Sequence, residues 1–244
     1  MQETDLAPRT KSPYERDLPA AFHAVRKLLS NPDDTTQVFV IMRALNGRMQ
    51  VRNFERLMKT QGGPRLVYRR LELAEKFSDP AFIASFEAGT VGAAYRDFLN
   101  ATGYTAAGLV EVSNLDNEPL AEHPYAWCGR RQRDVHDIWH VLTGYQADDP
   151  LGEAALVAFS YAQTGGLGWG FIALAAVLKS LRERQPSVAR AIVEGYRNGR
   201  KAAWLMGEDY EALLQEPLAA ARARLGIAEP AAYAVAREQM LAQA

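Results

Sequence analysis

The chain has very little cysteine: Cys128 stands alone among 244 residues. A single thiol excludes an intrachain disulfide and a cysteine-based zinc knuckle, and it suits a reducing compartment. Cys128 precedes His136 by eight residues; it is expected as a buried bystander, with contact to a site there as the alternative. Charge of one sign is missing too. Lys and Arg number 28 against 29 Asp and Glu, for a net charge of −1, and no basic run is present. This argues against nucleic acid as a partner. Gly165–Gly170 lacks the lysine and the strand context of a phosphate loop, and no internal repeat occurs. The N-terminal stretch has no apolar segment and carries Glu3, Asp5, Glu15 and Asp17. That argues against a secretion signal or an acid-poor transit peptide, so a cytoplasmic location is expected.

Long apolar runs are almost absent as well, with one exception. Ala154–Leu178 carries no charge over 25 positions, long enough to span a membrane. Gln163-Thr164-Gly165-Gly166 interrupts its middle. Two buried helices, Leu151–Gln163 and Trp169–Leu181, explain the run better, and a lipid-accepting groove is compatible with them. Apolar surface left open there would suit a peripheral contact with the inner membrane.

What the chain does have is helical periodicity. At 48% hydrophobic and 23% charged, its composition is that of a folded domain. Leu18–Ser30 places Phe22, Val25 and Leu29 on one side, and Val38, Ile41, Met42 and Leu45 follow the i, i+3, i+4, i+7 pattern. Further helices are expected at Val51–Thr60, Pro64–Phe77 and Ala93–Ala101, with a short extended piece at Gly108–Ser113. Ser113–Tyr125 is a long polar connection of the kind that forms a lid. Pro186–Met206 repeats a small residue at Ala191, Gly195, Gly199 and Ala203. That pattern predicts either a closely approaching helix or a channel for a hydrocarbon tail. The fold class is all-α: a single mostly helical domain over 18–244, a multi-helix bundle with a buried apolar cavity, after an extended arm at 1–17.

The chemistry concentrates in RQRDVHDIWHVLTGYQADDPLGE, Arg131–Glu153. If Asp134–Thr143 is helical, His136, Asp137 and His140 fall within an arc of about 100°. Val135, Ile138 and Leu142 lie on the other side, facing a core. Two histidines four apart also occur as core pairs or surface accidents. Here they are two of only four histidines in the chain, Asp137 shares their face, and Glu153 opens a helix that can point back at them. Two imidazoles and two carboxylates form a mixed nitrogen and oxygen set for a divalent cation. Zinc suits it first, with iron, manganese or cobalt as alternatives. HDxxH also has the spacing of the HExxH metalloprotease motif, with Asp137 as general base and Glu153 as third ligand, so a metallohydrolase is a further reading.

At these residues the sequence resembles the Coq4 family of ubiquinone-biosynthesis proteins, whose signature is HDxxH, eleven residues, then Glu. HDIWH stands at 136–140, and twelve residues separate His140 from Glu153. The extra residue is expected in the Tyr145–Pro150 loop, which leaves Asp148 and Asp149 as substitutes for Glu153. PDDTTQVFVIMRALNG with VRNFERLM, and LGEAALVAFSYAQTGGLGWG, extend the likeness over Pro32–Gly226. The resemblance implies loss of the C1 carboxylate from a polyprenylated 4-hydroxybenzoate-type acid, coupled with hydroxylation. It also implies a part in assembling the other coenzyme Q biosynthesis proteins. His136, Asp137, His140 and Glu153 would then hold the metal and carry catalysis. Arg131 and Arg133, or Arg197 and Arg200 with Lys201, would bind an anionic head group, and Asp134 would brace a ligand histidine. The other reading is a non-catalytic scaffold that binds prenyl lipid, and either form could be a homo-oligomer.

Overall fold

Asp17 accepts the backbone N–H of Ala20 and Pro19 sits in the first turn, so α1 runs Leu18–Ser30. The computed structural model describes residues 15–31, 34, 36–113 and 123–242. Most of the expected arm, and all but the ends of the Ser113–Tyr125 connection, lie outside them. After α1 come α2 (Thr36–Leu45), α3 (Met49–Met58), α4 (Gly63–Arg69), α5 (Leu73–Phe77), α6 (Pro80–Ala84), α7 (Val91–Thr102) and α8 (Ala106–Ser113). The second half holds α9 (Pro124–Asp134), α10 (His136–Thr143), α11 (Pro150–Thr164), α12 (Leu167–Arg182) and α13 (Pro186–Lys201). A 3-10 turn at Leu205–Gly207, α14 (Tyr210–Leu213), α15 (Leu218–Leu225) and α16 (Ala231–Leu241) complete the chain. The fold is all-α, with no strand among the described residues.

Three local expectations give way. Gly108–Ser113 is helical: the Thr105 hydroxyl accepts the N–H of Gly108, and that cap outweighs the strand preference of its valines. Pro64–Phe77 is two helices, because Arg70 takes a left-handed conformation with φ of 43° and ends α4. Phe22 lies outside the core, 59% exposed, while Ala21, Ala24, Val25 and Leu28 form the buried side of α1.

The uncharged run is two helices, as its central polar break requires. Gly165 ends α11 in the left-handed region, with φ of 65°, and α12 starts two residues later. No helix among the described residues is long and apolar enough to cross a membrane. The small residues of α13 serve close approach and not a channel. A Cβ on Gly195 would lie 2.2 Å from the Ala155 carbonyl oxygen, and one on Gly199 would lie 2.6 Å from that of Phe159. The backbone of α11 fills the space the channel would need. An open pocket of about 280 Å³ lies elsewhere, against α16, between Gln146, Tyr233 and Arg237. Beneath these layers α10 touches α7, α9, α11 and α15, with Val135, Ile138 and Leu142 fully buried.

Candidate metal centre

A kink at Val135, φ −94° and ψ 0°, separates α9 from α10, so the helix that carries the histidines begins at His136. Its far end is fastened twice. Gly144, with φ of 81°, closes the last turn and returns its N–H to the His140 carbonyl at 2.8 Å. Arg222 of α15 donates to the carbonyls of Leu142 and Val141 at 2.9 and 3.0 Å, placing a cation at the negative end of α10. In the middle, Trp139 Nε1–H donates to the Tyr210 hydroxyl at 2.6 Å, which locks the helix rotation. Opposite, Asp149 caps α11 through the N–H of Leu151, and Glu153 lies in the first turn.

Glu153 bridges the two histidines. Its Oε1 is 3.2 Å from His140 Nε2 and its Oε2 is 3.6 Å from His136 Nε2. One ligand atom from each of the three residues lies within 4.8 Å of the others. The imidazole centroids are 5.0 Å apart and the rings stand perpendicular, at 89°. His140 Nδ1 meets the Tyr145 carbonyl oxygen at 2.8 Å. A carbonyl only accepts, so Nδ1 carries a proton and, in the neutral ring, Nε2 offers its lone pair. That Nε2 is buried with no well-directed hydrogen bond. A buried lone pair that a backbone carbonyl aims at a second imidazole and a carboxylate fits a cation.

The charges agree with this geometry. Burial works against a charged His136, but the neighbouring Glu153 carboxylate, aided by Asp137, holds it above the usual histidine range. Burial pushes Glu153 upward, and the two histidines outweigh it and hold the carboxyl well below the usual range. Asp137 is buried and raised by desolvation, against the pull of His136 and His140. It stands beside the cluster without belonging to it, so three of the four expected ligands converge. Of the three acids the sequence offers here, Glu153 is the one that meets the histidines: Asp148 is exposed, and Asp149 is committed to its cap.

The other expected site residues are engaged elsewhere. Arg131 is buried against Trp127 and Tyr210 and donates to the Glu208 carbonyl. Five residues before His136, it leaves the helix on a different side. Arg133 donates to Asp134 Oδ1 at 2.6 Å and to Ser113 Oγ at 3.1 Å. Asp134 also accepts the N–H of Ala74, at 3.2 Å, so it braces α9 against α5 and not a histidine. Arg197, Arg200 and Lys201 are exposed on α13. Cys128 is a core bystander whose thiol burial pushes up to about 11.

The family model described as "Coenzyme Q (ubiquinone) biosynthesis protein Coq4" matches residues 11–231. The chain belongs to the Coq4 family. This Coq4 chain is 28% identical over 180 residues to the rat protein named "Ubiquinone biosynthesis protein COQ4 homolog, mitochondrial". That match covers 72% of the chain and 64% of the rat protein, so the chain spans just under two thirds of that relative. The zebrafish protein of the same name is 29% identical over 209 residues, covering 83% of the chain and 73% of the relative. The human one is 27% identical over 225 residues, covering 90% and 80%. A crystal structure from Nostoc punctiforme PCC 73102 shares the fold, with a TM-score of 0.63 at 22% identity over 87% of this chain and 99% of that one.

Sequence reasoning passes over two aromatic walls of the Coq4 site. Trp169, in the first turn of α12, stacks on His136 at 6.0 Å and 7°, and Phe98 of α7 stacks on His140 at 5.9 Å and 17°. Neither carries a spacing signal, since each comes from a helix distant in sequence. The Tyr145 carbonyl is missed because a backbone oxygen has no letter of its own.

Proposed function

We propose that this Coq4 protein binds a divalent metal, zinc first, through His136, His140 and Glu153, and removes the C1 carboxylate of a polyprenylated 4-hydroxybenzoate-type acid as CO2, with a proton taking its place at C1, in ubiquinone biosynthesis. The observation that carries the reading is the buried Nε2 of His140, which lacks a well-directed hydrogen bond, is held in its ligand tautomer by the Tyr145 carbonyl, and faces His136 and Glu153. When bound, the ion supplies a positive centre that stabilises oxyanion charge on the substrate. The chain's own part is positioning. Phe98 and Trp169 stack on the two imidazoles and line the site. The Glu153 side chain stays 40% exposed and His136 19%, so a head group can reach them from solvent.

A second reading, a lipid-binding scaffold without turnover, is favoured by one surface. Leu174, Leu178 and Leu181 of α12 stand 56%, 58% and 52% exposed at i, i+4 and i+7. Leu18 and Phe22 are exposed on α1, which packs against α12. Such an apolar ridge suits a prenyl chain, the membrane surface or a partner protein.

Zinc-loaded protein, incubated with the prenylated acid labelled at its carboxyl carbon, is expected to release labelled CO2. His136→Ala should abolish release while the protein stays folded. Loaded protein that releases none, together with His136→Ala restoring ubiquinone synthesis in cells, would establish the scaffold instead.

A further inference from the structure

We infer that Tyr233, on the C-terminal helix α16, is a positioning residue for the metal centre, acting through the loop between α10 and α11. The inference rests on the metal reading of His136, His140 and Glu153. That loop meets the centre at both ends. At its start the Tyr145 carbonyl fixes the tautomer of His140. At its end Asp149 Oδ1 accepts the N–H of Leu151 at 2.9 Å and sets the first turn of α11, where Glu153 lies.

One phenol fastens both ends. The N–H of Gln146, the residue after Tyr145, donates to the Tyr233 hydroxyl oxygen at 3.1 Å. The same hydroxyl donates to Asp149 Oδ2 at 2.9 Å. The Tyr145 and Tyr233 rings meet edge to face, 5.3 Å apart at 86°. Tyr233 is only 3% exposed. Its own backbone is anchored, because Glu194 of α13 accepts the N–H groups of Ala232 and Tyr233 at 2.9 and 3.1 Å. The hydroxyl is therefore a fixed point between the ligand-bearing helices.

Gly152 gives a second, independent sign that the loop's position matters. A Cβ there would lie 2.0 Å from the Gln146 carbonyl oxygen and 2.8 Å from its nitrogen. Only glycine lets the loop cross the bare first turn of α11, one residue from Glu153. The backbone of Gln146 thus packs against Gly152 and is tied to the Tyr233 hydroxyl. Removing a hydroxyl that both accepts and donates leaves two partners short at once.

Tyr233→Phe keeps the ring and removes the hydroxyl. Zinc affinity, measured by competition with a chromophoric chelator, is expected to fall about tenfold, the lower end of what outer partners of metal ligands contribute. Nitrogen-15 spectra of the metal-free protein at mildly alkaline pH give a readout that a general loss of stability would not move. The proton of His140 should sit on Nδ1 in the wild type and partly on Nε2 in Tyr233→Phe. Arg237→Leu removes the other contact to Asp149 Oδ2, at 3.4 Å from a side chain 41% exposed, and should leave both readouts unchanged. Gly152→Ala, pushing the loop from its opposite side, should weaken zinc binding at least as much as Tyr233→Phe. Wild-type protein that binds zinc while Tyr233→Phe binds it equally well, with the same tautomer, overturns the positioning role alone. Wild-type protein that binds no zinc overturns the metal reading and this inference together.

Discussion

Two halves of one charged stretch, Arg130–Asp134 on α9 and His136–His140 on α10, meet opposite fates on either side of Val135. On α9 the charged side chains are paired with protein partners, Arg131 Nε excepted. Arg130 reaches Glu72 at 2.7 Å, Arg133 reaches Asp134, and Asp134 takes the N–H of Ala74 as well. On α10 the polar atoms are oriented but not consumed: His140 spends Nδ1 on a carbonyl and keeps Nε2 for something else. A buried charge that is already paired is architecture; His140 Nε2, aimed at His136 and Glu153, is the atom that a cation would use under the proposed function.

That contrast can be broken by substitution, and the largest effect belongs on the paired side. Asp134→Ala strands Arg133, whose side chain is 14% exposed, and the N–H of Ala74. Loss of about 3 kcal/mol is expected in chemical denaturation, with zinc affinity of the folded fraction unchanged. His140→Ala should do the reverse. Zinc at a hundredfold excess over Kd should add about 2.7 kcal/mol of stability to the wild type and nothing measurable to His140→Ala. A zinc response that survived in His140→Ala, or vanished in Asp134→Ala, would erase the distinction between the halves.

The smallest effect is a pH window in the metal-free protein. The raised His136 contributes stability that is complete below its unfolded value of 6.5 and lost as pH rises through the folded one. The depressed Glu153 contributes stability that is complete above its unfolded value of 4.5 and lost as pH falls through the folded one. Both contributions are therefore full between about pH 4.5 and 6.5, and together they are worth under about 1 kcal/mol, because solvent screens the half-exposed Glu153. His136→Gln should flatten the alkaline side of this profile in thermal melts.

Much of this was legible in the sequence. The bounds of α1 follow from Asp17 and Pro19, and the turn after α11 follows from its adjacent glycines. His136 and His140 share one face of α10 as helical spacing predicts, because that spacing is short-range geometry. What sequence spacing misjudges depends on partners remote in the chain. Arg131 and Arg133 stand next to the motif, yet Tyr210, Glu208 and Ser113 claim them. Asp137 shares the histidines' face, but the carboxylate that meets Nε2 comes from α11. The channel read into α13 fails for the same reason: a missing side chain says that space is needed, not what fills it.

What fills it also bears on how the centre can move. With Gly195 and Gly199 letting α13 sit against the carbonyl oxygens of Ala155 and Phe159, α11 has a rigid backstop immediately behind Glu153. A carboxylate mounted this way cannot swing back to admit a bulky guest. Any widening of the entrance must come from the opposite wall, where Trp169, in the first turn of α12, leans on His136.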